Sequence, residues 1–441
     1  MLDERGRLLG AARRPLRADT GDGRAEQDPA AWFYALLAAG QEAAAGHTIE
    51  AISVCALGPA PILVDDALRP LTPALLFSLD RRADPAPLGL THDHALPKLE
   101  WWQENEPALW ERAAWGLDAT GFLVAQLTGV PVLDRISRED WLLAGHPAPL
   151  PLPEPADPLE IAGGLRDRPA RSLGVRPGTP VAVGTYDTYA DALAAGVHVP
   201  GDACVLLGST LVVGVAVAER LDVPGLASSD YLGEGSLLGG WTASAGSSLD
   251  WFARELGDPG DVSALEPGAG GLLALPYLAG ERTPVWDPDA RGVVLGLTLG
   301  TRRDELYRAL LDGVALSARD HVERLRTVGV TPDAWRVRGG GIHNEAWLDA
   351  TCDALAAPLE VVEHATEAVG PALVAMRAIG VELTLPDAYL RASVGQTPHA
   401  SIRTSSSPGA GSGSGSTSTR RSRGAWSRAA RIRPDSPTGA A

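Results

Sequence analysis

The sequence predicts an α/β protein of more than one domain, with a mixed sheet in its first half. Two strand-like hairpins flank a helical segment within the first 80 residues, and short apolar runs alternate with helical stretches further along. The length of 441 residues exceeds the usual domain size of roughly 100 to 200 residues. Because strands come both before and after the helix, a mixed sheet is favoured over a doubly wound one.

The beginning of the chain is predicted to form a turn, a strand and a helix. A turn over residues 3–6 should lead into a strand over 7–12. Asp28 and Pro29 then mark a helix start, because Asp is a favoured capping residue and Pro fits the first helical position. This helix should end near Ala45.

Further strands and helices complete a first predicted domain, residues 1–179. Residues 48–55 have the composition of a buried strand, and 61–71 that of a second hairpin. The apolar spacing of residues 98–145 predicts a helical region, and a proline-rich passage over 147–158 interrupts it.

A strand, a tight turn and a helix start open the second predicted domain, residues 180–392. The apolar run 180–183 stops at Gly184, and an alanine-rich helix begins at about Asp187. Ligands of α/β proteins lie where strands end and helices begin, because helix N-terminal amides face that crevice. Asp187 is therefore a candidate functional residue. The alternative is that Asp187 only caps the helix.

Composition points to small-molecule partners. The 38 Lys and Arg residues against 55 Asp and Glu residues give a formal charge of −17, which argues against nucleic acid or an anionic membrane as partner. No apolar run approaches the roughly 18 residues that span a bilayer, and charges occupy the place of a signal peptide's apolar core. The cysteines, Cys55, Cys204 and Cys352, are few and far apart, so we expect a reducing, cytoplasmic setting.

The last stretch of the chain, residues 393–441, changes in character. It is rich in Ser, Gly, Arg and Pro and has few large aliphatic side chains. Such a segment cannot bury enough apolar surface to fold, so we expect a disordered tail. A shifted reading frame would explain its composition, and a basic nucleic-acid-binding tail is the alternative that the acidic chain disfavours.

Two glycine-bearing turns downstream of Asp187 can hold phosphate groups. Gly208, Ser209 and Thr210 lie at the tip of a predicted hairpin over 203–217, where amides and hydroxyls can bind a phosphate oxygen. The same residues also suit an ordinary hairpin turn. The triple glycine 339–341 follows a strand and precedes a helix, so a flat or phosphorylated ligand can approach the backbone and the helix amides.

Several segments together resemble the FGGY family of carbohydrate kinases, which includes xylulokinase and glycerol kinase. The segments that carry the resemblance are 275–286, 291–297, 308–315 and 338–347. The spacing of Gly292, Gly296, Leu306, Ala309 and Asp312 is similar to the C-terminal signature of the family. Residues 98–107 are similar to its N-terminal signature, although Trp102 replaces a smaller apolar residue. The resemblance extends over nearly all of residues 1–390.

The resemblance implies two actin-like domains, of the ribonuclease H-like ASKHA superfamily, that close on ATP, Mg²⁺ and a sugar or polyol in the cleft between them. It makes Asp187 the general base that accepts the proton of the attacking hydroxyl. The implied phosphate contacts are Gly208, Ser209 and Thr210, and the implied adenosine-side contacts are Gly339, Gly340, Gly341 and Asn344. A homodimer is compatible with it.

The sugar is less well defined. Asp80 and Arg82 match a family position near the sugar pocket, and an ion pair at the surface is the alternative. Xylulokinases have a Met-His pair where this chain has Leu57 and Gly58, which leaves the identity of the sugar open. Among nearby residues, Lys98 is expected to be structural, and the cluster Thr91–His94 to be solvated rather than metal-binding.

Members of the family begin with a strand and an Asp-x-Gly-Thr loop that contacts the ATP phosphates and magnesium. No such loop stands before the opening hairpin of this sequence, so we expect little kinase activity from residues 1–441 as written. The sequence thus predicts an ATP-dependent kinase of a sugar or polyol, with pentuloses such as xylulose as the favoured class. The alternative is a catalytically impaired homologue that binds sugar or nucleotide.

Overall fold

The structure of the protein is a computed structural model that describes residues 1–88, 90–141, 149–232, 235–363, 367–382 and 390–394. Its strands are β1 (Asp19–Gly21), β2 (Arg24–Gln27), β3 (Cys55–Ala56), β4 (Ile62–Val64), β5 (Ala74–Leu75), β6 (Trp115–Leu117), β7 (Leu133–Asp134), β8 (Pro155–Ala156), β9 (Ile161–Gly164), β10 (Pro180–Ala182), β11 (Thr185–Tyr186), β12 (Ala203–Leu207), β13 (Leu211–Val217), β14 (Ala227–Asp230), β15 (Ser236–Trp241), β16 (Leu273–Leu275), β17 (Val293–Leu295), β18 (Trp335–Arg338), β19 (Leu359–Val362) and β20 (Leu390–Val394).

The helices lie between these strands. The α-helices are α1 (Pro29–Ala44), α2 (Leu96–Asn105), α3 (Pro107–Trp110), α4 (Ala119–Thr128), α5 (Arg135–Trp141), α6 (Asp167–Leu173), α7 (Asp187–Ala194), α8 (Gly246–Leu256), α9 (Arg303–Thr327), α10 (Glu345–Leu355) and α11 (Val369–Ala378). Short 3₁₀ turns occur at Ala86–Leu88, Ala269–Gly271 and Gly340–His343. No described helix is both long and apolar enough to cross a membrane.

The helix predicted from Asp28 and Pro29 is confirmed. The carboxylate of Asp28 accepts a hydrogen bond from the backbone N–H of Ala30 at 2.9 Å, and the helix runs to Ala44. The N–H group of the first helical residue has no partner within the helix, so a proline costs nothing there. The pair of Asp28 and Pro29 therefore marks the start of a helix.

Two predicted hairpins form, one of them in reduced form. Residues 61–71 turn back on themselves, with an antiparallel bridge between Val64 and Pro70. At the beginning of the chain the turn is present, but the strand predicted over 7–12 shrinks to one bridge between Leu2 and Leu8. The reason is geometric, since only the two residues before the turn face this segment across it.

Two expectations for the first half need correction. The strand predicted over 48–55 is confined to β3 and to one parallel bridge between Ile52 and Val181. The predicted helical region 98–145 contains β6, which pairs antiparallel with β4, so the region is not continuously helical. Helical apolar spacing cannot reveal a three-residue strand whose partner lies about 50 residues away. Residues 142–148 lie outside the described part of the chain.

The first hydrophobic core is formed by α1, α4 and α6 against short strands. Here β3 and β11 are parallel, and β9 and β10 are antiparallel, so the strands are mixed as predicted. Val181 and Val183 are buried in this core. The chain then continues through α7 into a second set of strands. The predicted boundary near residue 180 stays a prediction.

A seven-stranded mixed sheet organises the second half, in the order β14-β15-β13-β12-β18-β19-β20. The predicted hairpin over 203–217 is confirmed as the antiparallel pair of β12 and β13. Side chains of β12 alternate between two faces. Val205 and Leu207 join a core with α9 and α10, whereas Cys204 and Leu206 join a core with α7 and α11. Helices therefore cover both faces of the sheet.

The C-terminal boundary of the second half differs slightly from the prediction. Strand β20 includes Ser393 and Val394, the first two residues of the predicted tail. The remainder of that tail, residues 395–441, lies outside the described residues.

A buried carboxyl group in the first half should make stability depend on pH. Burial, and secondly repulsion by Asp134, raises the pKa of Asp118 from 3.8 to about 7. Between these pH values the folded protein keeps a proton that the unfolded chain has released, so stability should fall as pH rises through this window. The free energy of unfolding should drop by at least about 1 kcal/mol.

Asp118→Asn removes the charge and keeps the oxygen that accepts from the backbone N–H of Gly121. We expect urea denaturation of this variant to lose that part of the pH dependence. Asp28→Asn is the control, because the Asp28 cap is exposed. A pH dependence unchanged by Asp118→Asn would contradict the prediction.

Candidate active site

The site is built around a left-handed turn at Gly184, between β10 and β11. Gly184 has φ of +73°, and a Cβ atom there would lie 1.9 Å from the carbonyl oxygen of Val54. Only glycine can adopt this conformation at such a close approach. The turn therefore fixes where the following strand runs.

Strand β11 is held in place by two buried polar side chains. The Thr120 hydroxyl accepts from the backbone N–H of Ala56 at 3.1 Å and donates to the carbonyl of Thr185 at 3.0 Å. The Thr185 hydroxyl donates to Asp134 at 3.1 Å. Because β3 and β11 are parallel with Tyr186 opposite Ala56, the residues that follow both strands emerge at one edge.

Asp187, the predicted base, emerges at this edge as the first residue of α7. The helix has no side-chain cap, and among the described residues the Asp187 carboxylate has hydrogen-bond contacts only with Thr188, whose hydroxyl lies 3.4 Å away. The capping alternative is thus not what the described contacts show. The residue is exposed, but protein surrounds it on enough sides for desolvation, followed by repulsion from Asp191, to raise the pKa of its carboxyl group.

The first glycine turn, Gly208–Thr210, forms the tip of the β12–β13 hairpin. The Gly208 N–H donates to the carbonyl of Thr210 at 3.0 Å, which closes the turn. The carbonyl of Gly208 in turn accepts from the N–H of Gly246, the first residue of α8, at 3.0 Å. Ser209 is exposed, so its hydroxyl is accessible beside a helix N-terminus.

The second glycine turn lies next to the first. Strands β12 and β18 are parallel, and Gly339 packs so closely that a Cβ atom would lie 2.5 Å from the carbonyl oxygen of Leu207. Gly341 packs against Trp347 in the same way, whereas a Cβ at Gly340 would meet nothing within 4 Å. The backbone at Gly340 is therefore open to a ligand. Both predicted turns are brought to one edge of the sheet.

Asn344, predicted to contact the adenosine side of the nucleotide, has structural contacts within the protein. Its side-chain oxygen accepts from the N–H of Trp347 at 3.1 Å and so caps α10. Its amide nitrogen lies 3.4 Å from the hydroxyl of Tyr307. Capping orients the helix N-terminus beside the open glycine turn.

Asp80 and Arg82 form an ion pair, but not one at the surface. Asp80 is buried and accepts from the N–H of Ala25 at 2.9 Å, and its carboxylate lies 2.7 Å from the Arg82 guanidinium. Arg82 also pairs with Glu26 at 2.7 Å and lies over the ring of Trp101 at 4.7 Å. These contacts fix both side chains and use the Nε and Nη2 atoms of Arg82. A sugar contact by Arg82 would therefore use its remaining guanidinium nitrogen, Nη1.

The neighbouring segment has mainly structural contacts. The buried Lys98 donates to the carbonyls of His92 and His94 at 2.5 and 3.1 Å, in agreement with the structural role expected for it. Asp93 pairs with Arg282 through two contacts of 3.1 Å, which join the two predicted domains. No group of three or more His, Cys, Asp or Glu side chains suited to a metal occurs among the described residues.

A contact between α7 and the sheet was not among the sequence-based predictions. Arg338, the last residue of β18 before the triple glycine, forms an ion pair with Asp191. The two are 147 residues apart, so no local pattern connects them. The available signal was the position of Asp191, four residues after Asp187 and thus on the same helix face.

The bridging hydroxyl of Thr120 offers a test of how the edge is held. Thr120→Val keeps the shape of the side chain but leaves the N–H of Ala56 and the carbonyl of Thr185 unpaired. We expect a loss of about 1–3 kcal/mol in the free energy of unfolding, together with a lower turnover, because the segment before Asp187 loosens. Urea denaturation and turnover measurements report the two effects.

Thr351→Val is the matched control. Thr351 is equally buried, but its hydroxyl donates only to the carbonyl of Trp347 in its own helix. Equal stability losses in the two variants, with unchanged turnover, would show that Thr120 does not organise the edge.

Comparison with known proteins agrees with this geometry. Residues 203–379 match the C-terminal domain of the FGGY family of carbohydrate kinases. The chain is 30% identical over 381 residues to the xylulose kinase of Streptomyces rubiginosus, covering 78% of this chain and 77% of that protein. It is 30% identical over 328 residues to the ribulokinase of Shouchella clausii, covering 64% and 58% of the two chains.

The fold is also found in solved structures. The xylulose kinase from Rhodospirillum rubrum superposes with a TM-score of 0.76 at 28% sequence identity, covering 87% of this chain and 88% of the other. The predicted α/β fold of two actin-like domains is thereby confirmed. The chain belongs to the FGGY family of carbohydrate kinases.

Proposed function

We propose that the protein transfers the terminal phosphoryl group of ATP to a hydroxyl of a pentulose, of which xylulose is the leading candidate, with Asp187 as the general base. The observation that carries this proposal is the position of the Asp187 carboxylate, which does not cap its helix, at an edge where two parallel strands end. The names of the relatives, xylulose kinase and ribulokinase, support the pentulose class.

In this mechanism the Asp187 carboxylate accepts the proton of the attacking hydroxyl. The hydroxyl oxygen forms a bond to the terminal phosphorus atom, the bond to the bridging oxygen breaks, and ADP leaves. The backbone N–H groups at a helix N-terminus partly stabilise the ionised form of a carboxylate that lies there. The hydroxyl of the neighbouring Thr188 is 3.4 Å away and orients the carboxylate.

The nucleotide would lie along the two glycine turns. We assign Gly208, Ser209 and Thr210 to the phosphates, since the turn presents amides and an exposed hydroxyl beside the start of α8. We assign Gly339, Gly340, Gly341 and Asn344 to the adenosine side, since the backbone at Gly340 is open. The pair of Arg338 with Asp191 ties α7 to the strand before these glycines, which supports a shared cleft.

The remaining assignments follow the same reasoning. Asp80 and Arg82 are proposed to border the sugar, and residues 1–179 and 180–392 to form the sugar and nucleotide domains. Mg²⁺ is usually held by phosphates and one or two carboxylates, so it fits a site without a dedicated metal cluster, and its chemistry would be to neutralise charge on the phosphates. The homodimer and the cytoplasmic setting stay predictions.

The test is a direct measurement of ADP release from ATP in the presence of pentuloses, hexuloses and polyols. Both the 441-residue chain and a form extended upstream in frame should be assayed. In the extended form we expect turnover that depends on one pentulose and leaves a phosphorylated sugar detectable by mass spectrometry, and in the 441-residue chain we expect little of it. Sugar binding without ADP release in both forms would favour a binding protein over a kinase.

The raised pKa of Asp187 predicts the acid side of the pH profile. The base must be ionised to accept a proton, so turnover should fall as pH drops through the pKa of Asp187. Because desolvation and repulsion by Asp191 raise that pKa, the fall should occur above the ordinary value of 3.8. The measurement is kcat as a function of pH with direct quantification of ADP. Full activity down to pH 3.8 would contradict the assignment of Asp187.

A further inference from the structure

A partly buried ion pair connects the helix that begins with Asp187 to the strand that leads into the triple glycine. The side chain of Arg338 is 8% exposed and that of Asp191 is 32% exposed. Arg338 ends β18, and Asp191 lies one turn after Asp187 on α7. The contact therefore joins two segments that the proposed function uses for different substrates.

The charges around the first turn of α7 are mostly negative. On α7 itself, Asp191 repels the carboxylate of Asp187. From the segment before α11, Glu367 adds to the negative charge at Asp191, although it also pairs with Arg13 at 2.6 Å. Arg338 on β18 is the cation that pairs with Asp191.

Two further titratable groups of the first half lie near this edge, and one of them, Cys55, interacts electrostatically with both Asp187 and Asp134. Cys55 on β3 is a neutral thiol, because burial raises its pKa to about 12. Asp134 at the end of β7 accepts hydrogen bonds from the hydroxyls of Ser137 and Thr185, and Thr185 lies two residues before Asp187. Neither supplies positive charge, so the charge of Asp191 is balanced from the nucleotide side, by Arg338.

We propose that Arg338 is a positioning residue for the phosphoryl transfer: by pairing with Asp191 it holds α7 against β18 and reduces the repulsion that the Asp191 carboxylate exerts on Asp187. This inference rests on the proposed function of Asp187. It makes the ionisation of the base depend on a residue adjacent to the predicted nucleotide turn. Arg338 itself need not touch either substrate.

Four variants separate this role from simple structural support. They are Arg338→Met, Arg338→Lys, Asp191→Asn and the double variant Arg338→Met with Asp191→Asn. In Arg338→Met the uncompensated Asp191 should favour the protonated form of Asp187, so the acid limb of kcat should move to higher pH by about one unit. At a pH within that limb, kcat should fall by about 10-fold.

The double variant removes the repelling charge as well. Its acid limb should return to the wild-type position or lie below it, and Asp191→Asn alone should move the limb to lower pH. Arg338→Lys keeps the charge and should restore most of the wild-type profile. KM for ATP should change little throughout, since the proposed role is exerted through Asp191 and not on the nucleotide.

Arg336→Met is the matched control. Arg336 lies two residues earlier on β18 and therefore on the same face, and it pairs with Asp202 and Glu360 at 3.1 and 3.3 Å. Its loss should lower stability without moving the acid limb. An equal shift in Arg336→Met, an unmoved limb in Arg338→Met, or a rise confined to KM for ATP would each overturn the proposal.

A failure of the positioning role of Arg338 can be distinguished from a failure of the proposed function of Asp187. If Asp187→Asn retains wild-type turnover, the assignment of Asp187 fails whatever the Arg338 variants do. If Asp187→Asn is inactive and the Arg338 series leaves the limb unmoved, only the positioning role fails. Should Arg338→Met not fold, the isosteric Asp191→Asn decides the case alone, and the absence of a shift to lower pH overturns the role.

Discussion

Asp187→Asn should reduce kcat by about 10² to 10⁴-fold while leaving the protein folded. Asparagine has the shape of aspartate but cannot accept the proton of the attacking hydroxyl. Within the part of the chain that the structure describes, the carboxylate forms hydrogen bonds only with its neighbour Thr188, so its loss breaks no long-range hydrogen bond there. Losing a negative charge at a helix N-terminus costs about 0.3–1 kcal/mol, too little to unfold a domain.

The measurement is steady-state turnover with thermal unfolding of the same sample, in the form of the chain that turns over ATP. KM values for sugar and ATP should change far less than kcat, because the lost interaction arises in the transition state. Asp261→Asn is the control, as the Asp261 carboxylate is exposed and its hydrogen bonds to described residues go only to Ser263. Turnover within about twofold of wild type in Asp187→Asn would remove Asp187 from the mechanism.

Gly184→Ala should be the most damaging change to the framework of the site. Alanine would have to adopt φ of +73° and would place its Cβ 1.9 Å from the carbonyl oxygen of Val54. The left-handed conformation costs about 1–2 kcal/mol, and the overpacking adds about 1–3 kcal/mol because a paired backbone segment must move. That movement would displace β11, and with it Asp187, so turnover should fall as well.

Gly178→Ala isolates the contribution of the close contact. Gly178 has φ of +79°, and a Cβ there would meet nothing within 4 Å. Gly178→Ala should therefore lower the free energy of unfolding only by the cost of the left-handed backbone conformation, and turnover should be unchanged. Urea denaturation of both variants gives the difference. Equal losses in the free energy of unfolding would mean that the segment around Val54 moves away from an added Cβ atom at no cost. The close contact at Gly184 would then not fix the edge.

The sequence was informative wherever a feature depends on neighbouring residues. The helix start at Asp28 and Pro29, the hairpin over 203–217 and the strand, glycine and helix around Gly184 were all predicted correctly. The three-residue strand β6 was not, since its pairing with β4 depends on contacts that local periodicity does not record.

The candidate site divides in the same way. The sequence by itself determined the family, the presence of Asp187 at a helix start and the two glycine turns, because each is a short motif whose chemistry depends on adjacent residues. Only the tertiary structure decided that the turns at Gly208 and Gly339 share an edge, and that Arg338 pairs with Asp191. These relations arise between segments more than 100 residues apart, where burial, charge and parallel strand pairing act through space and leave no local pattern.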